Sequence, residues 1–161
     1  MKRIYLIFFL SCFQIVAQNS NRTYLSHKEE NNIFSVTTND GKYIFTPYSN
    51  TIIETTFIPT GEIQNNESHA VVLESKKVET TYSYQGNVIS YATSGISVYI
   101  TTQPFHVAFF YKGKELISEK EGYYKSKHIP MGLVKGNIVA DTTEKITFTL
   151  SPEEVLYGAG A

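Results

Sequence analysis

Turn signals return along this chain at short, regular intervals, and that constrains the fold more than any single motif. Asn39-Asp40-Gly41, Pro59-Thr60-Gly61, Gly86-Asn87, Ser94-Gly95, Gln103-Pro104 and Lys112-Gly113-Lys114 each reverse a chain readily. Glycine reaches positive φ, proline fixes φ and offers no N–H, and Asn and Asp side chains bond their own backbone. Between these clusters lie short segments rich in Thr, Val, Ile and aromatic residues, the most regular being Ile96-Val98-Ile100. Turns about every eight to twelve residues are the sign of an antiparallel sandwich or barrel. No stretch sustains a 3.6-residue apolar stripe long enough for a globular helix. Twelve Tyr, ten Phe and no Trp reinforce the strand bias. The expectation is an all-β, antiparallel β-sandwich.

Taken in order, strands are expected over Phe34–Thr38, Tyr43–Thr46, Thr51–Ile58, His69–Leu73, Val78–Tyr84, Asn87–Thr93, Ile96–Thr102 and His106–Tyr111. Glu62–Ser68 reads as a polar loop. Leu116-Ile117 starts a short strand, and Ser118–His128 reads as a charged, tyrosine-bearing loop. Leu133, Val134, Ile138 and Val139 flank Gly136-Asn137, and Asp141-Thr142-Thr143-Glu144 turns the chain into a last strand. There Ile146, Phe148 and Leu150 alternate with Lys145, Thr147 and Thr149 until Ser151-Pro152 stops the ladder. The Gly-x-Gly run at Tyr157-Gly158-Ala159-Gly160-Ala161 lets the backbone approach another surface closely.

The first residues have a different character. Met1-Lys2-Arg3 precedes an apolar run from Ile4 to Leu10, and Ile15-Val16-Ala17 puts a small residue before Gln18. This is the pattern of a secretory signal peptide over residues 1–17, too short to remain as a membrane-spanning helix. Lipidation at Cys12 is the weaker alternative, since Phe9 stands where a lipoprotein signal has its usual leucine. Cys12 is the only cysteine, which excludes disulfides, thiol catalysis and Cys-based zinc from the mature domain. Residues 18–32 are polar without apolar period and read as a leader, with the sandwich over 33–156. The formal net charge of -1 becomes -3 without Lys2 and Arg3, so neither nucleic acid nor an anionic membrane is an expected partner.

Catalytic chemistry is sparse. Acid–base or nucleophilic chemistry by paired carboxylates needs two acids held within a few ångströms of each other. The two aspartates, Asp40 and Asp141, sit in turn-like contexts where the side chain bonds the backbone. His27, His69, His106 and His128 lack ligand spacing, and no serine lies in a G-x-S-x-G context, so no metal site, cofactor or catalytic residue is assigned. Among the aromatics, Phe105, Phe109, Phe110 and Tyr111 are expected in core packing, whereas Tyr123 and Tyr124, in a polar stretch, are better candidates for a surface contact. The lysines and glutamates between Lys112 and Lys127 read as a solvated hairpin.

The run Phe148-Thr-Leu-Ser-Pro-Glu-Glu-Val-Leu-Tyr157-Gly158-Ala159-Gly160 resembles the junction in glycoside hydrolase family 31 between an N-terminal β-sandwich and a (β/α)8 barrel. Ala161 stands where that family most often has glutamate. Gly95 to Leu116, with Pro104-Phe105 and Lys112-Gly113-Lys114, is similar to the family's strand, Pro-Phe, strand, Gly-Lys hairpin, and Gly41 to Pro59 is a weaker match. The resemblance implies a galactose-mutarotase-like sandwich, with residues 157–161 opening a junction to a catalytic barrel that this chain lacks. It implies retaining chemistry on α-glycosides in the whole enzyme, by aspartates of the barrel and with no cofactor. Tyr157, Gly158 and Gly160, with Tyr123 and Tyr124, become candidate substrate contacts. The partners implied are an α-linked oligosaccharide and the intramolecular barrel, in an exported periplasmic or extracellular protein. A stand-alone exported module binding carbohydrate or protein is the alternative, and a purely structural sandwich a third. A large apolar patch on the domain's surface separates the first from the others.

Overall fold

The computed structural model describes residues 21–64, 77–128, 133–134, 137–138, 141–150 and 153. The expected signal peptide with Cys12, the strand expected at His69–Leu73, and Tyr157, Gly158 and Gly160 of the expected junction lie outside the described residues. Every regular element among those described is a strand. One sheet has four strands in the order β1 (Tyr24–Glu30), β2 (Ile33–Thr38), β3 (Gly41–Ser49) and β4 (Ile52–Pro59). The other has six, in the order β12-β9-β8-β7-β6-β5. Its members are β5 (Thr81–Gln85), β6 (Val88–Ala92), β7 (Ile96–Thr102), β8 (Phe105–Tyr111), β9 (Lys114–His128) and β12 (Asp141–Thr149). A ribbon of β10 (Leu133–Val134) and β11 (Asn137–Ile138) sits between β9 and β12 in the chain. All pairings are antiparallel, as the turn spacing requires.

Alternation builds the core. On β2 and β3 the inward residues are Phe34, Val36, Tyr43 and Phe45, each at most 1% exposed. They meet across the ladder as Phe34–Phe45 and Val36–Tyr43. The six-stranded sheet answers with Ile89 and Tyr91 from β6, Val98 and Ile100 from β7, and Phe105 and Val107 from β8. Phe34 stacks on Tyr91 with ring centroids 5.0 Å apart, and Tyr43 lies 5.5 Å from Phe105, so aromatic contacts join the sheets directly. Pro47 is tolerated in β3 because it falls where the register with β4 slips, between Pro47 and Ser49.

Three stretches differ from the expectation. The polar leader over 18–32 contains β1, an edge strand with only Tyr24 and His27 partly buried, which is why it shows no apolar period. Its register is set by Asn31 and Asn32, whose φ values of 52° and 65° are those of a two-residue hairpin turn. Ser118–His128 is no loop but the greater part of β9, paired with β12 except at a bulge that breaks its alternation. Asp141–Glu144 likewise belongs to β12, with Asp141 opposite His128, so the turn reading of Asp141 is corrected. In addition, β5 begins at Thr81, later than Val78.

Removing a core ring tests the packing. Phe45→Ala is expected to cost about 3–5 kcal/mol of unfolding free energy, read from urea denaturation of the full chain. A loss below about 1 kcal/mol would show that the sheets do not close on this ring.

Candidate functional site

The most heavily bonded side chain described is Arg22, just before β1. Asn39 in the β2–β3 turn pins this segment: its Oδ1 accepts from Thr23 N (2.8 Å) and its Nδ2 donates to the Asn21 carbonyl (2.7 Å). Arg22 thereby turns inward and is 4% exposed. Its Nε donates to Asp40 Oδ1 (2.9 Å) and its Nη2 to Asp40 Oδ2 (2.8 Å), a bidentate fork. Nη2 also donates to the Tyr123 carbonyl of β9 (2.8 Å), and Nη1 donates to the Tyr43 hydroxyl. Tyr43 passes the chain on, donating to Glu119 Oε2 at 2.7 Å. Phe57 lies beneath the guanidinium, 4.4 Å from its carbon to the ring centroid.

The β9 bulge makes room for this cluster. Thr147 pairs with Gly122 and the next residue, Phe148, with Glu119, so two residues of β9 are looped out. Gly122 has φ +66°, and a Cβ there would lie 2.5 Å from Arg22 Nη1 and 2.8 Å from Glu119 Oε2. Only glycine fits both the backbone and the space.

Electrostatics follow from burial. Desolvation holds the Glu119 carboxyl above the usual range, against the opposing pull of the Tyr43 hydrogen bond and the Arg22 charge. The Tyr43 hydroxyl is pushed far up, chiefly by desolvation and then by Glu119. For Asp40, desolvation is outweighed by hydrogen bonds from Arg22 and Thr38, and its pKa falls. Arg22 is raised because Asp40, Tyr43 and Glu119 together outweigh its own desolvation. Two acids and a tyrosine around an arginine have the ingredients of a catalytic centre. Their geometry is that of a bracket: Glu119 is 5% exposed and bonded to Tyr43, and Asp40 is committed to Arg22. The solvated-hairpin reading therefore fails at Glu119, while Lys125 and Lys145 do form exposed ion pairs with Glu62, Glu144 and Glu121.

Tyr123 and Tyr124 are not brought together. Tyr123 faces inward, its ring 5.1 Å from Phe57, while Tyr124 faces water at 48% exposure with Lys145 Nζ 5.5 Å from its ring. Successive strand residues point to opposite faces, so the pair offers no common surface. Phe105 is buried in the core as expected. Among the described residues, no group of His, Cys, Asp or Glu gathers to hold a metal ion.

Two surfaces between the described sheets stay partly in water. Between β4 and β9–β12 runs an apolar groove of about 300 Å³, lined by Ile53, Ile96, Leu116, Ile117, Ile146 and Phe148 among others. Leu116 and Ile146 are 46% and 51% exposed, and Thr55 Oγ1, on the same groove, is buried without a hydrogen-bond partner among the described residues. At the opposite edge, between β1 and β5, the rings of Tyr24, His27, Tyr82 and Tyr84 pack against one another, with Tyr82 and Tyr84 about half exposed. Arg22, Glu119 and Gly122 carried no sequence signal. The groove did carry one, in the Ile146-Phe148-Leu150 alternation, although what it faces cannot be read from one strand.

The buried carboxyls give opposite pH slopes. Glu119 binds its proton more tightly folded than unfolded, so its contribution is fully present below its unfolded pKa, near 4.5, and is lost as pH rises through the folded value. Asp40 contributes above its unfolded value, near 3.8, and loses that contribution as pH falls through the folded one. Glu119→Gln is expected to remove the decline above pH 4.5 and leave the acid limb, measured as urea stability across pH. Parallel curves for parent and variant would contradict the burial of this carboxyl.

Comparison with known proteins agrees with the architecture. No curated protein matches the chain. The profile of the glycosyl hydrolase 31 N-terminal galactose mutarotase-like domain matches residues 42–161, from β3 through β12 and on past Tyr157-Gly158-Ala159-Gly160. An antiparallel two-sheet sandwich, matched over well more than half its length, places this chain in the glycosyl hydrolase 31 N-terminal galactose mutarotase-like domain family.

Proposed function

We propose that this sandwich is the non-catalytic N-terminal domain of an exported retaining α-glycosidase or α-transglucosylase, seating a (β/α)8 barrel and contributing to its substrate pocket. The observation that carries the reading is the groove between β4 and β9–β12. Its lining is mainly aliphatic and aromatic, with Thr55 and Glu119 among it, it faces water, and it follows β12, the strand ahead of the Tyr157-Gly158-Ala159-Gly160 stretch. Apolar surface left in water costs about 25 cal/mol per Å², so a neighbouring domain that covers it is stabilised in place.

The chemistry of the whole enzyme would then be double displacement. A barrel aspartate attacks the anomeric carbon, a second carboxylic acid protonates the leaving oxygen, and water or a sugar hydroxyl completes turnover. No metal or organic cofactor enters those steps. Export rests on the signal-peptide pattern of residues 1–17, with the periplasm or cell exterior as destination. Tyr157, Gly158 and Gly160 remain the candidates for approach to the pocket rim.

Two readouts on the chain as it stands test the proposal. It is expected to release no p-nitrophenol from p-nitrophenyl α-glucoside above the buffer rate. It is also expected to bind the apolar dye ANS, with Ile146→Glu/Phe148→Glu abolishing the fluorescence at unchanged cooperative unfolding. Turnover by the chain alone, or dye binding indifferent to the double substitution, would overturn it.

A further inference from the structure

The half-exposed ring cluster at the β1–β5 edge differs in chemistry from the groove, and it is the better candidate for a small polar ligand. Tyr82 and Tyr84 alternate on β5 and lie opposite the inward-facing Tyr91 and Ile89 of β6, so both rings lean toward the space between the sheets. They are nonetheless 49% and 46% exposed, because β5 is an edge strand and every one of its residues is open to water. From the facing sheet, His27 presents its ring 6.0 Å from Tyr82 and 5.4 Å from Tyr84, and Tyr24 lies 6.2 Å from Tyr84. Residues two apart on a strand are separated by about 6.6 Å, so the two tyrosines offer successive apolar surfaces along the edge.

Polar groups are interleaved with the rings. The Tyr24 hydroxyl and His27 Nδ1 are 2.6 Å apart. With tyrosine as donor, Nε2 carries the imidazole proton and is a hydrogen-bond donor to a ligand. Glu29 pairs opposite the inward-facing Phe34, on the same face of β1 as His27, and supplies an acceptor. Thr81, Ser83 and Gln85 complete β5, which carries no charge. Rings that meet C–H surface, with hydroxyl, imidazole and carboxylate groups for O–H, match a pyranose. The carboxylate disfavours phosphate, and the hydroxyl-bearing rim fits a protein's aliphatic ridge worse than the groove does.

We propose that Tyr82 and Tyr84 of β5, with Tyr24 and His27 of β1, form an auxiliary binding surface for a neutral oligosaccharide. It holds glucan beside the enzyme without taking part in bond cleavage. The choice of an α-glucan as ligand rests on the glycosidase reading above. The geometry of the surface does not.

Native electrophoresis of the full chain through gels with and without amylopectin tests it. The parent is expected to be retarded by the polysaccharide. Tyr82→Ala/Tyr84→Ala is expected to run alike in both gels while keeping the parent's thermal midpoint within a few degrees. Tyr99→Ala is the control: it removes an exposed ring that packs on Phe110, away from this ring cluster, and leaves the retardation intact. Tyr84→Phe separates fold from recognition, since it keeps the ring and is expected to keep most of the retardation. A parent that is not retarded by amylopectin, or retardation that survives the double substitution, overturns the proposal. Such a failure with the dye test intact removes the sugar surface alone. Retardation with a failed dye test removes the neighbouring-domain reading and leaves the sugar surface standing.

Discussion

The fork from Arg22 to Asp40, continued through Tyr43 to Glu119, ties the two sheets together. A sandwich of this size has only one thin core, and Arg22 closes one end of it. The fork fixes the start of β1 to the β2–β3 turn, and the bond to the Tyr123 carbonyl, with the relay through Tyr43 to Glu119, reaches across to β9. Three bonded groups around one guanidinium answer its charge and most of its N–H donors, which a buried arginine requires. The bulge at Gly122 exists for the same reason. Without the looped-out pair, Glu119 could not stand where Tyr43 reaches it, and any side chain at 122 would displace the guanidinium.

Closing one end in this way leaves the long sides to be settled by the edge strands, and there the sheets are unequal. Four strands cannot cover six. On the β12 side the uncovered surface is aliphatic, on the β5 side aromatic and hydroxyl-bearing. Aliphatic surface is covered by another folded unit, whereas rings flanked by hydrogen-bonding groups suit a ligand with both C–H and O–H faces. The family to which the domain belongs is that of an N-terminal domain, which accords with a neighbouring domain on the β12 side.

The sequence was a good guide wherever one face was buried and the other wet. Ile96–Thr102 and Phe34–Thr38 alternate cleanly because their inward residues fill the core, and the turns between them carry Gly, Asn or Pro for reasons of backbone geometry. The failures have one physical cause. β1 is an edge strand wet on most of its residues, and β9 holds a buried glutamate and a bulge, so neither keeps a period-2 pattern. Arg22 stood in a polar stretch and Gly122 beside charged residues, and a single sequence gives no sign that a charge is buried. Tyr123 and Tyr124 were chosen as rings in a loop; as neighbours on a strand they must face apart.

One double-mutant cycle bears most directly on the claim that a buried polar bracket joins the sheets. Arg22→Met and Glu119→Gln, singly and together, are compared by urea denaturation at neutral pH. Because the two residues belong to one hydrogen-bonded network, the account predicts non-additivity of about 1 kcal/mol or more. Additive losses within about 0.3 kcal/mol would mean that the two ends of the bracket do not feel each other, and that the sheets are held by apolar packing alone.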